Sequence, residues 1–321
     1  MRLTWILLAV LVLLIAVGAL AAARRPSGTR AAAEPRTQPA RLESHVRTLV
    51  GSFGPRDEEH PENLERVAAW IRGELERAGG TVADQPFQVG GATYRNVSAL
   101  FGPDTRDRIV VGAHYDTAGP LPGADDNASG VAGLLELARL LGTSTLKKRV
   151  ELVAYPLEEP PYFASGEMGS AFHARALKAQ GVRVRAMICL EMIGYFSDAP
   201  GSQEFPVAAL RAVYPSTGNF ILVTGKPGQG GLVRRVTKRM RRGAAPLDVR
   251  SIVAPASLPG VDFSDHRNYW AQGWDAVMVT DTAFYRNPSY HTARDTPEKL
   301  DYGRMARVVD GVHAAVLAEA D

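Results

Sequence analysis

Short apolar runs with the character of buried strands alternate with longer stretches of helical periodicity, and this alternation does most to narrow the folds open to the chain. Arg108–Ala113 carries Ile-Val-Val, and Asn96–Phe101, Val150–Tyr155, Ala186–Ile193 (AMICLEMI), Asn219–Thr224 and Asp275–Thr280 read as further strands. Glu62–Ala78 has apolar residues at helical spacing and stops at Gly79-Gly80, and Ala128–Leu141 stops at Gly142. Gly169–Gln180, the basic stretch Gly231–Arg242 and the closing Tyr302–Ala320 are the remaining expected helices. Strands separated by helices predict an α/β fold, a three-layer sandwich around a central, mostly parallel mixed sheet.

In sheets of this kind chemistry gathers where strands end and loops begin. The sequence places its acidic residues and histidines there. Ile109-Val110-Val111 runs into Gly112-Ala113-His114-Tyr115-Asp116, and Gly123-Ala124-Asp125-Asp126-Asn127-Ala128-Ser129-Gly130 opens a helix. Val150–Tyr155 leads to Glu158-Glu159, Met187–Leu190 to Glu191, and Ala276–Thr280 through a Tyr- and Pro-containing loop to His291. Imidazoles and carboxylates of this number suit two divalent cations with one carboxylate bridging both, and a free carboxylate beside them suits proton transfer. Taken singly, His114 reads as a core histidine, Asp125 and Asp126 as helix caps, Glu158-Glu159 as a solvated turn and His291 as a loop residue; only the set points to a metal site.

Cys189 is the sole cysteine of the 321 residues, so neither an intrachain disulfide nor a thiolate metal cage is possible. A net charge of +3 spread along the chain gives no case for nucleic acid as a partner.

His114-x-Asp116, Gly-Ala-Asp125-Asp126-Asn-Ala-Ser-Gly, Glu158-Glu159, Leu190-Glu191-Met-Ile-Gly and Tyr290-His291-Thr292, in this order, resemble the M28 zinc peptidases over roughly residues 90–315. The resemblance implies the zinc-dependent exopeptidase fold and two Zn2+ per chain. One would be held by His114 and Glu191, the other by Glu159 and His291, with Asp126 bridging. Glu158 matches the general base and Asp116 the carboxylate that orients His114. The family position matched by Glu191 is more often Asp. The implied activity is release of N-terminal residues from a peptide substrate. Its alternatives are glutaminyl cyclisation with one zinc, a carboxypeptidase, or a non-catalytic binding homologue.

Ser264-Asp265-His266 suggests a hydrolase triad, but no Gly-x-Ser-x-Gly elbow supplies a serine nucleophile. Asp265 and His266 are therefore expected to support or shape the substrate pocket. Tyr285, in Phe284-Tyr285-Arg286, is a further candidate for substrate binding, and the Ser197–Gly218 insertion is a candidate pocket wall. The helix carrying Arg234, Arg235, Lys238, Arg239, Arg241 and Arg242 reads first as a solvated face, with anionic lipid headgroups as its alternative partner.

Residues 3–23 form an uncharged, almost wholly apolar run long enough to cross a bilayer as a helix. Its length suits an anchor and its Ala-x-Ala ending a cleaved signal. The expected organisation is a signal peptide or anchor over 1–23, a flexible linker over 24–40 and a catalytic domain over 41–321. That domain would lie outside the cytoplasm, membrane-anchored or secreted.

Overall fold

The computed structural model describes residues 34–321; the apolar run 3–23 and most of the expected linker lie outside the described residues. The first helix, α1, spans Pro39–Phe53, so the folded domain begins two residues ahead of the expected Arg41. The chain just before it is already tied down. Arg36 N–H donates to Asp310 Oδ2 (2.8 Å), and Thr37 donates to Asp310 Oδ1 through N–H (3.0 Å) and its hydroxyl (2.8 Å).

Eight strands follow: β1 Thr81–Val89, β2 Ala92–Phe101, β3 Asp107–His114, β4 Arg149–Tyr155, β5 Arg183–Glu191, β6 Phe220–Gly225, β7 Asp248–Val253 and β8 Ala276–Thr280. They form one sheet in the order β1-β2-β4-β3-β5-β8-β6-β7. Strands β4, β3, β5 and β8 run parallel at its centre, while β2 and β6 flank them antiparallel. The sheet is thus parallel in its middle and mixed overall.

Helices cover both faces: α2 Pro61–Arg77, α3 Gly130–Leu141, α5 Gly230–Gly243 and α7 Tyr302–Ala320 join α1 on one side, and α4 Gly169–Ala179 and α6 His266–Ala271 lie on the other. The pleat sorts the apolar runs between the two cores. Ile109, Val111 and Ala113 of β3 pack with Ala186, Ile188 and Leu190 of β5 in the larger core, while Val110, Met187 and Cys189 face the smaller one. A central strand buried on both faces needs an unbroken apolar run, which is why these strands are legible.

Helix α2 follows its sequence signals. α2 opens on Pro61 and Glu62, favoured in a first turn, and buries Leu64, Val67, Ala68, Ile71 and Leu75 at helical spacing.

Candidate metal centre

Because β3, β4, β5 and β8 are parallel, their C-terminal ends share one edge of the sheet. His114 is the last residue of β3 and Glu191 the last of β5. Glu158 and Glu159 follow β4 in its exit loop, and His291 lies in the loop between β8 and α7. Asp126 projects from the irregular turn Ala124–Ser129 ahead of α3, where the backbone leaves helical geometry at Asp126 (φ −105°, ψ 92°) and Asn127 (φ −130°, ψ 40°).

Asp126 stands between the two histidines. Its Oδ1 lies 3.3 Å from His114 Nε2 and its Oδ2 lies 3.0 Å from His291 Nε2. Glu191 Oε2 is 3.4 Å from His114 Nε2, Glu159 Oε1 is 3.3 Å from His291 Nε2, and Glu158 Oε2 is 3.9 Å from His114 Nε2. Two donor sets result, His114 with Asp126 and Glu191, and His291 with Asp126 and Glu159; a further grouping joins His114, Glu158 and Glu159. Asp116 places Oδ1 3.3 Å from His114 Nδ1, the position that fixes a ligating imidazole, and its Oδ2 accepts the Glu159 N–H at 3.0 Å. All seven residues expected at the centre are brought together.

The fit to cations rests on what these groups lack. Among the described residues, His114 Nε2, His291 Nε2 and Glu159 Oε1 are buried with only these carboxylate–imidazole approaches and no hydrogen bond of good geometry. Burial and repulsion from Asp126 push Glu159 up to about 8. Burial also drives Glu158 well above the carboxylate range, with Glu159 and Glu191 adding to the rise and His114 opposing it. Burial alone would lower His114, but Glu191 and Glu158 beside it raise it well above an ordinary histidine. Divalent cations held by nitrogen and oxygen donors would satisfy the orphaned atoms and neutralise the crowded carboxylates.

The backbone is shaped around the centre. Leu157 (φ 62°), Met192 (φ 48°) and His291 (φ 51°) adopt left-handed conformations, the first two directly beside Glu158 and Glu191. Asn127 pins the turn to the end of β5. Its Nδ2 donates to Leu190 O (2.9 Å), while its Oδ1 accepts from Gly130 N–H (3.0 Å) and Met192 N–H (3.1 Å). Gly130 is obligatory for this approach, since a Cβ there would stand 2.3 Å from Asn127 Oδ1 and 2.7 Å from Leu190 O. Asp295 accepts the N–H groups of Asp125 and Asp126 at 3.0–3.1 Å.

Asp125 is not the helix cap that its position suggests. Its carboxylate accepts from Gly194 N–H (3.0 Å) and Asn287 Nδ2 (2.8 Å), bracing the loops on the far side of the turn.

Several contributors escaped the sequence reading. Arg56, 1% exposed, spends its guanidinium on backbone carbonyls: Tyr115 O (3.0 Å), Leu49 O (3.0 Å), Pro122 O (3.1 Å) and Gly123 O (2.9 Å). It thereby clamps the loop joining Asp116 to Asp126. A Cβ on Gly123 would meet Asp126 O at 2.3 Å and Arg56 Nη2 at 3.0 Å. Ser264 donates to Glu191 Oε2 at 2.7 Å and lies 3.1 Å from Cys189 Sγ. Tyr290 stacks on His291 with ring centroids 3.8 Å apart, and burial beside Asp126 and Glu159 keeps its phenol protonated. The Tyr-His dipeptide and Ser264 were visible as letters, but their roles depend on loops that only the fold brings together.

An apolar cavity of about 100 Å³ adjoins the centre, with Glu191 in its wall. Phe205 and Tyr214 from the Ser197–Gly218 insertion, Leu222, Met278, Phe284 and Tyr290 also line it. Tyr285 lines the cavity too, its hydroxyl 3.3 Å from Pro259 O. Asp265 and His266 do not line it; both are fully buried where α6 begins. His266 donates Nε2–H to Val261 O at 2.8 Å, and Ser170 lies beside the Asp265 carboxylate.

The chain is 47% identical over 282 residues to the protein YfbL of Escherichia coli (strain K12), covering 85% of this chain and 86% of that one. It is 28% identical over 223 residues to a protein of Arthroderma otae named probable leucine aminopeptidase, covering 63% of this chain and 51% of the relative, so it spans about half of that protein's length. BSAP, a zinc aminopeptidase from Bacillus subtilis, shares the fold at a TM-score of 0.70 and 16% identity, covering 88% of this chain and 95% of that one. A glutaminyl cyclase of Bacteroides thetaiotaomicron, bound to N-acetylhistamine, does so at 0.66 and 20% identity, over 89% and 99%. The profile of peptidase family M28 matches residues 96–316, a stretch that holds all seven residues of the centre, and the chain belongs to that family.

Proposed function

We propose that this protein is a two-zinc aminopeptidase that releases apolar N-terminal residues. The observation that carries the reading is the shared position of Asp126, whose two carboxylate oxygens each face a different histidine. Two zinc ions in these donor sets would polarise the scissile carbonyl and make a water acidic enough to lose its proton near neutral pH. His114, Glu191 and Asp126 would hold one, and His291, Glu159 and Asp126 the other. Glu158 takes the proton from the attacking water and delivers it to the leaving amine. Asp116 fixes the tautomer and orientation of His114. The protonated phenol of Tyr290 serves as a hydrogen-bond donor at the cavity mouth.

The cavity receives the first side chain of the substrate, and its aromatic and aliphatic walls favour Leu, Met or Phe. Among the described residues no Lys or Arg lines it, so nothing described there matches a C-terminal carboxylate, which weighs against a carboxypeptidase. The intact Asp-Asp-Asn turn and the complete donor sets weigh against a one-zinc cyclase and a non-catalytic homologue. Residues 3–23 export or anchor the domain, leaving it outside the cytoplasm.

The test compares Leu-initiated peptides with free and acetylated N-termini, before and after chelation. Chelator-sensitive release of leucine from the free form alone supports the reading. Equal cleavage of the acetylated peptide, or release of the C-terminal residue first, overturns it. On a Gln-initiated peptide the expected product is free glutamine; ammonia with ring closure would indicate a cyclase.

A further inference from the structure

We propose that the exposed face of α5 docks the catalytic domain on anionic phospholipid headgroups, close to where the chain's N-terminal segment leaves the domain. The helix is strictly two-sided. Leu232, Val233, Val236 and Met240 are buried, Arg234, Arg235, Lys238, Arg239 and Arg242 are exposed, and the helix has no acidic residue. Arg235 is held by Glu319 at 2.8 Å. Arg234, Lys238 and Arg242 make no hydrogen bond or ion pair among the described residues, so their charge is unspent within the domain. An isolated charged face is ordinarily only solvated. Its placement here argues for more.

The chain enters the domain at Arg36 and Thr37, both bound to Asp310 of α7. Asp310 O lies only 2.7 Å from where a Cβ on Gly243, the last residue of α5, would stand. The entry point and the basic helix are therefore neighbours. Residues 24–36 separate that point from the apolar run 3–23, and a stretch of this length spans roughly 20 Å as a coil and at most about 45 Å. Were 3–23 in a bilayer, the five cations would be confined within that distance of the headgroups, and docking would be an intramolecular step with a high effective concentration. Each cation contributes about a fivefold gain in binding near an anionic surface. The metal centre opens at the C-terminal ends of β3, β4, β5 and β8, whereas α5 lies on the sheet's outer face against α7 and β7, so docking leaves the centre open to substrate.

The docking rests on the reading of 3–23 as a membrane segment, and the test separates the two. The full chain is placed in nanodiscs of phosphatidylcholine alone or with about 30% phosphatidylglycerol, and acylation of individual lysines by a water-soluble reagent is followed by mass spectrometry. Lys238 is expected to react about tenfold more slowly in the anionic discs, with the protection lost at about 0.5 M salt. Lys226, on the other side of the sheet, is expected to react equally in both discs. The Arg234→Gln/Arg239→Gln/Arg242→Gln variant, altered only at exposed positions, is expected to restore Lys238 reactivity. Insertion into both discs with equal Lys238 reactivity overturns the docking alone. Insertion into neither overturns the membrane reading of 3–23 and the tethered docking with it. Protection of Lys238 by an RNA duplex but by neither disc overturns the choice of partner.

Discussion

Ser264 donates its hydroxyl to Glu191 Oε2 across 2.7 Å, at a point where the serine is wholly buried. With that proton committed to Glu191, the Cys189 thiol 3.1 Å away is left to donate to the serine. Burial pushes the thiol up, so Cys189 is an inert spacer behind Glu191 and not a nucleophile. Ser264 thus aims one oxygen of Glu191. Ser264→Ala is expected to weaken zinc binding about 10- to 100-fold with little change in stability. Competition with a chromogenic chelator measures it; unaltered affinity would remove this role.

Glu158 stands outside both donor sets that share Asp126. Glu158→Gln is expected to keep the full metal content while kcat falls about 10²- to 10⁴-fold. Activity within a few-fold of wild type would reassign the proton transfer to another group.

Arg56 is a buried cation whose guanidinium donates to four carbonyl oxygens among the described residues, with Asp116 and Asp295 as more distant counter-charges. Its loss leaves four acceptors in the interior, each costing about 1–3 kcal/mol when unpaired. Arg56→Met is expected to lower Tm sharply and weaken metal binding, because the loop between Asp116 and Asp126 loses its clamp. Arg56→Lys keeps the charge without the planar fork and is expected to recover only part of either property. Thermal unfolding with and without added zinc measures both. A wild-type Tm for Arg56→Met would contradict the clamp.

Two buried groups set separate limits on acid stability. Burial holds His266 down to about 4 against 6.5 when unfolded, so below pH 6.5 the unfolded chain takes up the proton first. About 3 kcal/mol is lost as pH falls from 6.5 to 4. Glu151 is opposed by burial but held at about 2 by His173 and Arg108, against 4.5 when unfolded. It contributes about 3 kcal/mol above pH 4.5, lost as pH falls through 2. Urea unfolding across this range is expected to show both slopes, the upper one shallower in His266→Phe, since burial also lowers His45 and His313, and the lower one shallower in Glu151→Gln. Identical slopes in wild type and His266→Phe would contradict the assignment.

The parts of the fold readable from the chain were those buried on both sides. Central strands β3, β5 and β8 hold the unbroken apolar runs Ile109–Ala113, Ala186–Leu190 and Ala276–Val279, β4 is interrupted only by the buried Glu151 in Val150–Tyr155, and α7 spans the expected Tyr302–Ala320. Edge strands β1 and β7 were missed because only one face of each is covered: β1 buries just Phe87 and Val89, and β7 just Val249 and Ser251. A half-polar, short run carries no strand signal of its own, and its pairing comes from the neighbour. Helix α1 escaped because its Leu42, Val46 and Leu49 sit just after an Ala- and Pro-rich stretch that reads as linker. The candidate ligands stood out because most of them follow an apolar strand. The residues that hold them in place, Arg56 and Asp295 among them, act through backbone groups far away in sequence, which no local pattern records.

On the reading proposed above, Asp126 joins two metal sites into one centre. Zinc content per full chain, measured on wild type and on Asp126→Ala, tests it most directly. The expected result is two zinc ions in the wild type and loss of both from the variant at the same free zinc. A single zinc in the wild type under saturating conditions, or two retained in Asp126→Ala, would contradict it.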